Sequence, residues 1–156
     1  MRISLVSVGT KMSGWVQSGV DEYAKRIQSS LRFSLTEIPL AQRTKSSNIS
    51  RCMQKEAEGI LAKIQDNDYV ITLEVAGKHY STEEVAMRIA EFKADGRNLV
   101  FLAGGPDGLH KSCKARANEQ WSLSQLTLPH PLVRILLVEQ LYRASSLLEG
   151  HPYHRQ

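Results

Sequence analysis

The sequence predicts an α/β protein with a mostly parallel sheet flanked by helices. Strand-like and helix-like segments alternate along the whole chain, the order that lays helices over parallel strands. One strand candidate, Asn98 to Ala103, is a nearly unbroken apolar run, as suits a strand buried on both faces at the centre of such a sheet. Glycine or proline interrupts the chain after several strand candidates, and the loops beyond the carboxyl ends of parallel strands are where such sheets bind ligands.

The elements follow in order. Ile3 to Val8 is a short β-rich run stopped by Gly9. Trp15, Val16, Val20, Tyr23 and Ile27 then recur on one face of a helix. Phe33 to Ile38 alternates roughly and is ended by Pro39. Asn48 is a candidate N-cap for a helix reaching about Gln65. After the Asp66-Asn67-Asp68 turn, Tyr69 to Val75 is a strand closed by Gly77. Ser81 and Glu84 have the spacing of a capping box, and the helix they open ends at Gly96. Gly104 to Gly108 breaks the central strand before a short helix near Leu109 to Ala117. Trp121 to Leu128 reads as a strand or extended loop, ended by Pro129-His130-Pro131. Leu132 to Leu148 is a long helix with more apolar residues than one buried stripe needs, and His151 to Gln156 is a short tail. Surplus apolar surface of that kind points to an interface between two copies of the chain.

The 156 residues suit one domain, 1–156. No apolar run approaches the ~20 residues of a membrane span. Cys52 and Cys113 stand apart, with no Cys or His at ligand spacing, so no metal is expected and a reducing cytoplasm suits the chain. The net charge of +4 tilts toward an anionic partner such as RNA. Acid-free basic segments occur at 42–48, which holds Arg43 and Lys45, at 110–116 and at 151–156. Each reads equally well as a solvated face or a helix C-terminal cation.

Three segments are candidates for chemistry. The Gly104-Gly105-Pro106-Asp107-Gly108 loop lets a ligand approach the main chain closely. It lacks the Gly-Lys-Ser/Thr of a phosphate loop and the Gly-x-Gly-x-x-Gly of a dinucleotide fold; a plain strand-to-helix turn fits it as well. Gly105 is expected where the main chain meets the ligand, so that valine there would exclude the ligand without disturbing the fold. The stretch Trp121 to Pro131 offers apolar side chains and main-chain polar groups that suit an adenine edge, or else a core strand running into a helix with Pro131 at its first position. The tail, His151-Pro152-Tyr153-His154-Arg155-Gln156, is dense in rings and cations suited to bases and phosphates, where a bland terminus would be frayed.

Taken together, several blocks resemble one family. They are Val8-Gly9-Thr10-Lys11, the strand Tyr69 to Val75, the glycine loop, Ser122 to His130, Arg134-Ile135-Leu136, Glu139 to Ala144 and His151 to Arg155. The chain resembles, from Met1 to Arg155, the bacterial 23S rRNA pseudouridine N3-methyltransferases, the type-H large-subunit enzymes of the SPOUT superfamily. Where this chain has Asp107, members of that family often have Glu.

The resemblance implies a sheet whose C-terminal part is threaded into a deep trefoil knot, an exception to the rule against knots. It implies S-adenosylmethionine as cofactor, held by Leu73, Gly104, Gly105 and the loop Ser124, Gln125, Leu126, Thr127, Leu128 and Pro129. It also implies a homodimer with the active site at its interface. The implied substrate is a pseudouridine in the helix-69 loop of 23S rRNA on the assembled ribosome. His154, Tyr153, Arg143 and His130 are the catalytic candidates, able to take the N3 proton or steady the developing anion. The tail is expected to pack over the catalytic pocket, with Arg43, Lys45 and Arg155 meeting RNA. Two other readings compete: a ribosome-binding protein of this fold without catalysis, and a small-molecule nucleotide enzyme using the glycine loop.

Overall fold

The alternation resolves into five strands and five helices: β1 (Arg2–Val8), α1 (Gly14–Ile27), β2 (Arg32–Ile38), α2 (Ile49–Leu61), β3 (Tyr69–His79), α3 (Thr82–Asp95), β4 (Leu99–Ala103), α4 (Lys111–Arg116), β5 (Glu119–Ser122) and α5 (His130–Leu148). A 3-10 turn, Pro152–His154, follows. This computed structural model describes residues 1–154, the last by its backbone alone. The strands form one sheet in the order β2-β1-β4-β3-β5, and every pair in it is parallel. Consecutive residues of β4 feed opposite faces, which is why its apolar run is unbroken. Leu99, Phe101 and Ala103 pack with α1, α3 and α5; Val100 and Leu102 pack beneath α2 and α4.

Local signals that cap helices hold. Asn48 accepts from the Arg51 amide, Ser81 and Glu84 make the full capping box, and Gly96 ends α3 with φ 76°. Tertiary packing changes other expectations. Trp15, on the expected apolar face of α1, is 59% exposed, while Val16, Val20 and Ile27 are buried. The second helix stops at Leu61 rather than near Gln65. β5 ends at Ser122, leaving 123–129 as loop. α5 begins two residues early, at His130, because the first helical turn needs no amide partner and so tolerates Pro131.

β3 departs most from expectation, since Gly77 does not end it. The strand pairs with β5 through Leu73, bulges out over the next residues, and resumes pairing at Lys78. A Cβ at Gly77 would lie 2.6 Å from the Trp121 carbonyl carbon, so only glycine lets the returning strand press this close. β5 is held by Glu119, which accepts from Tyr69 (2.5 Å), Tyr80 (2.9 Å), the Trp121 indole (3.1 Å) and Arg88.

Of the apolar surplus on α5, Leu137, Val138, Leu141 and Ala144 enter the core, whereas Leu132, Leu136 and Leu148 remain exposed. Full burial of such a side chain contributes about 1.5–3 kcal/mol, so the 37–41% of each leucine still exposed leaves under about 1 kcal/mol apiece unused.

Candidate active site

The carboxyl ends of β3 and β4 open into a cavity of about 690 Å³, within the range of small-ligand sites. Its walls come from the β3 bulge, the glycine loop and the loop before α5. The glycine loop turns back on itself: the Gly108 amide donates to the Gly105 carbonyl at 3.0 Å. A Cβ on Gly104 would sit 2.4 Å from the Gly108 carbonyl carbon, so closing the loop requires glycine there. Gly105 differs from expectation. Its Cβ direction meets Val8 (3.1 Å) and Leu40 (3.3 Å), beneath the loop rather than inside the cavity. A larger residue there acts on loop packing before it acts on a ligand.

Arg43 braces this loop. Its Nε donates to Asp107 at 2.8 Å, and its Nη1 donates to Glu56 at 2.6 Å and to the Ala41 carbonyl at 2.8 Å. Glu56 is 3% exposed. The hydrogen bond to Glu56 raises the already high pKa of the Arg43 guanidinium, with Asp107 adding to it against burial. A side chain expected to meet RNA is therefore an internal strut, while Lys45 is exposed on the adjoining turn.

The second wall is built by short serine bonds. Ser122 Oγ donates to the Ser124 carbonyl at 2.8 Å, and Ser124 Oγ accepts from the Leu126 amide at 3.0 Å. Ser124, Leu126, Thr127, Leu128 and Pro129 line the cavity; Gln125 lies outside its lining. Leu126 is 72% exposed, an apolar side chain of the cavity lining left open by the described residues. Leu73 begins the third wall, and the bulge adds Glu74 and Val75. Glu74 accepts from Thr72 (2.8 Å) and pairs with Lys114 (3.0 Å). Sequence reasoning missed Glu74 because nothing local announces the bulge. Lys114, which also lines the cavity, was visible only as part of a basic segment.

His130 stands on the cavity wall where α5 begins. Burial, helped by the Arg134 charge, lowers its pKa below the ordinary imidazole value, which favours a neutral ring at neutral pH. One turn on, Arg134 is 1% exposed and is the largest fully buried side chain. It donates to the Gly9 carbonyl and to Glu37, both at 2.7 Å. Gly9 (φ 117°) and Lys11 (φ 54°) shape the turn after β1, and a Cβ on Gly9 would lie 3.5 Å from His130 Nε2. Arg134 thus ties that turn against the wall of the cavity.

The other catalytic candidates lie elsewhere. Tyr153 packs on Tyr142 with ring centroids 4.3 Å apart, and its hydroxyl donates to Glu139 at 3.3 Å. Burial, then Tyr23 and Glu139, pushes its phenol up to about 12. Arg143 donates to Glu139 at 2.5 and 2.9 Å and lies over the Tyr153 ring. Tyr142 follows His130 by twelve residues on one helix, which at 1.5 Å per residue separates them by about 18 Å. Within one chain the described tail residues, 151–153, are absent from the cavity lining. The His154 side chain and Arg155 lie outside the described residues. Among the described residues no cluster of three or more His, Cys, Asp or Glu is placed to hold a metal, and no helix is long and apolar enough to cross a membrane.

A parallel α/β sheet with a loop-built cavity at its strand ends is the arrangement in which α/β proteins bind their ligands. The match to known families narrows this. The family model described as "Predicted SPOUT methyltransferase" matches residues 1–154, and the chain belongs to that family. It is 52% identical over 155 residues to the ribosomal RNA large subunit methyltransferase H of Saccharophagus degradans, covering 99% of this chain and 100% of the relative. It is 49% identical to the protein of the same name from Hahella chejuensis, over the full length of both. The fold resembles a probable methylase family protein from Haemophilus influenzae, with TM-score 0.56 and 13% identity over 99% of this chain and 70% of that one. A probable methyltransferase from Bordetella pertussis aligns with TM-score 0.54 and 10% identity, over 92% of this chain and 95% of its own.

Proposed function

We propose that this chain, acting in the cytoplasm as a single domain with the knotted C-terminal segment of its family, methylates ribosomal RNA. The methyl group is transferred from S-adenosylmethionine to N3 of a pseudouridine in the helix-69 loop of 23S rRNA, on assembled ribosomes. The observation that carries this reading is the cavity itself, where three separate loops converge beside His130. Its residues fit the cofactor. Leu73, Leu126, Leu128 and Val133 offer apolar walls for an adenine, main-chain groups of 104–105 and 124–129 offer edge contacts, and Glu74 offers a carboxylate. When bound, the cofactor supplies an electrophilic methyl group.

The chain's own contribution is orientation and proton removal. Holding N3 in line with the methyl group, opposite the carbon–sulfur bond that would break with its electron pair left on sulfur, can contribute on the order of 7–11 kcal/mol. The N3 proton must leave as the N–C bond forms, and a neutral His130 on the cavity wall suits that task. Leu126, Leu132 and Leu136, exposed near the start of α5, suit burial against a second copy. In such a homodimer the partner's tail supplies the remaining groups: Tyr153 positions the base, His154 assists loss of the proton, and Arg155 and Lys45 meet phosphates.

Mass spectrometry of 23S rRNA from a deletion strain tests the substrate: the methylated pseudouridine should vanish, and its persistence overturns the assignment. Calorimetry should show S-adenosylmethionine binding to the purified chain. Sedimentation should give a dimer at micromolar concentration; a monomer there removes the shared site. A chain ending at Gly150 should still bind the cofactor and fail to restore the methyl group.

A further inference from the structure

We propose that Tyr142, Tyr23 and Arg26 form a cradle that positions the C-terminal turn for methylation, and that Arg143 is a positioning residue of the same cradle. This rests on the reading that the tail serves the methylation site. Chain reversal comes first. Gly150 adopts φ 70°, and the His151 amide donates to the Ser146 carbonyl at 2.7 Å. The chain is thereby turned back along α5, and Tyr153 lands on Tyr142.

Two helices supply the seat. Tyr142 and Arg143 come from α5; Tyr23 and Arg26 come from α1. The Arg26 guanidinium lies 5.4 Å from the Tyr23 ring centroid, 5.5 Å from that of Tyr142 and 5.9 Å from that of Tyr153. Glu22 holds it there at 2.5 Å. One cation thus faces three rings, which favours their negative faces turning toward a shared centre. On the other side Glu139 anchors both Arg143 and the Tyr153 hydroxyl. Arg143 is therefore occupied on its edge by Glu139 and on its face by Tyr153, an arrangement that orients the turn rather than presenting a free cation to a developing anion.

Tyr23 and Tyr142 pack on the rim of the core, but the joint between the two helices does not rest on them alone. α1 and α5 already meet through Gly19 and Ile135, where a Cβ would approach Ile135 within 2.9 Å. Tyr23, Tyr142 and Tyr153 are only half-buried. What the cluster adds is a fixed exit point for the last residues of the chain.

The test uses the full-length protein with Tyr142→Ala, Tyr142→Phe and Arg26→Gln. Hydrogen exchange at the amides of His151 and Tyr153 reads the seat directly. Tyr142→Ala should speed it by roughly tenfold, while the amides of α5 keep their protection. Turnover on ribosomes should fall by on the order of 10²-fold, the usual cost of a misplaced group, with the affinity for S-adenosylmethionine unchanged. Tyr142→Phe keeps the ring and should restore both readouts; Arg26→Gln should fall between. Unchanged exchange in Tyr142→Ala, or full turnover despite fast exchange, overturns the cradle. A wild-type chain inactive on ribosomes instead overturns the functional reading on which the cradle depends, so the two failures are distinct.

Discussion

Replacing Arg134 with methionine tests whether the turn beside the cavity is held by charge or by shape. Methionine keeps most of the volume and removes both hydrogen bonds, to the Gly9 carbonyl and to Glu37. A hydrogen bond to a charged donor contributes about 1.5–3 kcal/mol. Glu37 is 35% exposed, so water replaces much of its loss, and that half adds under about 1 kcal/mol. Against this, Arg134 Nε is buried with no partner, and removing a buried charge recovers part of its desolvation cost. The net loss is about 2 kcal/mol, which in a domain of this size lowers Tm by roughly 4–8 °C. Urea unfolding should show a lower midpoint at unchanged slope. Glu37→Gln should cost clearly less. An Arg134→Met chain as stable as wild type would refute the reasoning, since shape alone would then hold the turn.

Gly104→Ala should weaken S-adenosylmethionine by about tenfold or more in calorimetry, because overpacking of 1–3 kcal/mol falls on the loop that forms the wall; unchanged affinity would mean the loop yields freely. Gly105→Val should lower stability and affinity together, through Val8 and Leu40, and selective loss of affinity would contradict that geometry. Arg43→Met leaves Glu56 buried without its partner and should cost about 3–5 kcal/mol in urea unfolding. The salt dependence of ribosome binding should stay as it was in that variant, whereas Lys45→Ala should shallow it by about one phosphate contact. His130 has its folded pKa below the unfolded value near 6.5, so the unfolded chain binds the proton more readily. Its contribution to stability is complete above about pH 6.5 and is lost as pH falls through the lowered folded value. His130→Asn should flatten that acidic slope and remove the acidic limb of kcat/KM; an unaltered pH profile would take His130 out of the proton path.

Local signals were legible where the cause is local. The capping box at Ser81 and Glu84 and the cap at Asn48 are bonds among neighbours, and they form as the sequence implies. The apolar run of β4 reports burial on both faces and nothing else. The three walls of the cavity were legible too, because strand ends in a parallel sheet converge whatever the loops contain. The β3 bulge was not, since it depends on how closely Trp121 approaches Gly77 from another strand. Nor was the end of β5, since Trp121 to Leu128 reads equally as strand or extended loop, and only the fold stops the strand at Ser122 and leaves Leu123, Leu126 and Leu128 to line the cavity.

By itself the sequence determined the class of fold, the order of its elements, the loops that gather at one edge and the family to which they belong. The first three follow from periodicity, caps and breaks, which act over a few residues; the family followed from the resemblance of whole blocks such as Ser122 to His130 and His151 to Arg155. Tertiary structure alone decided what the charges and rings do. Arg43 meets Glu56 thirteen residues away, and Arg134 meets Glu37 ninety-seven residues away; a reading along the chain leaves both as surface cations. It also decided that Tyr153 sits on Tyr142, twelve residues along α5 from His130. The rise of an α-helix keeps His130 and the seat of Tyr153 about 18 Å apart, a separation that no local pattern announces.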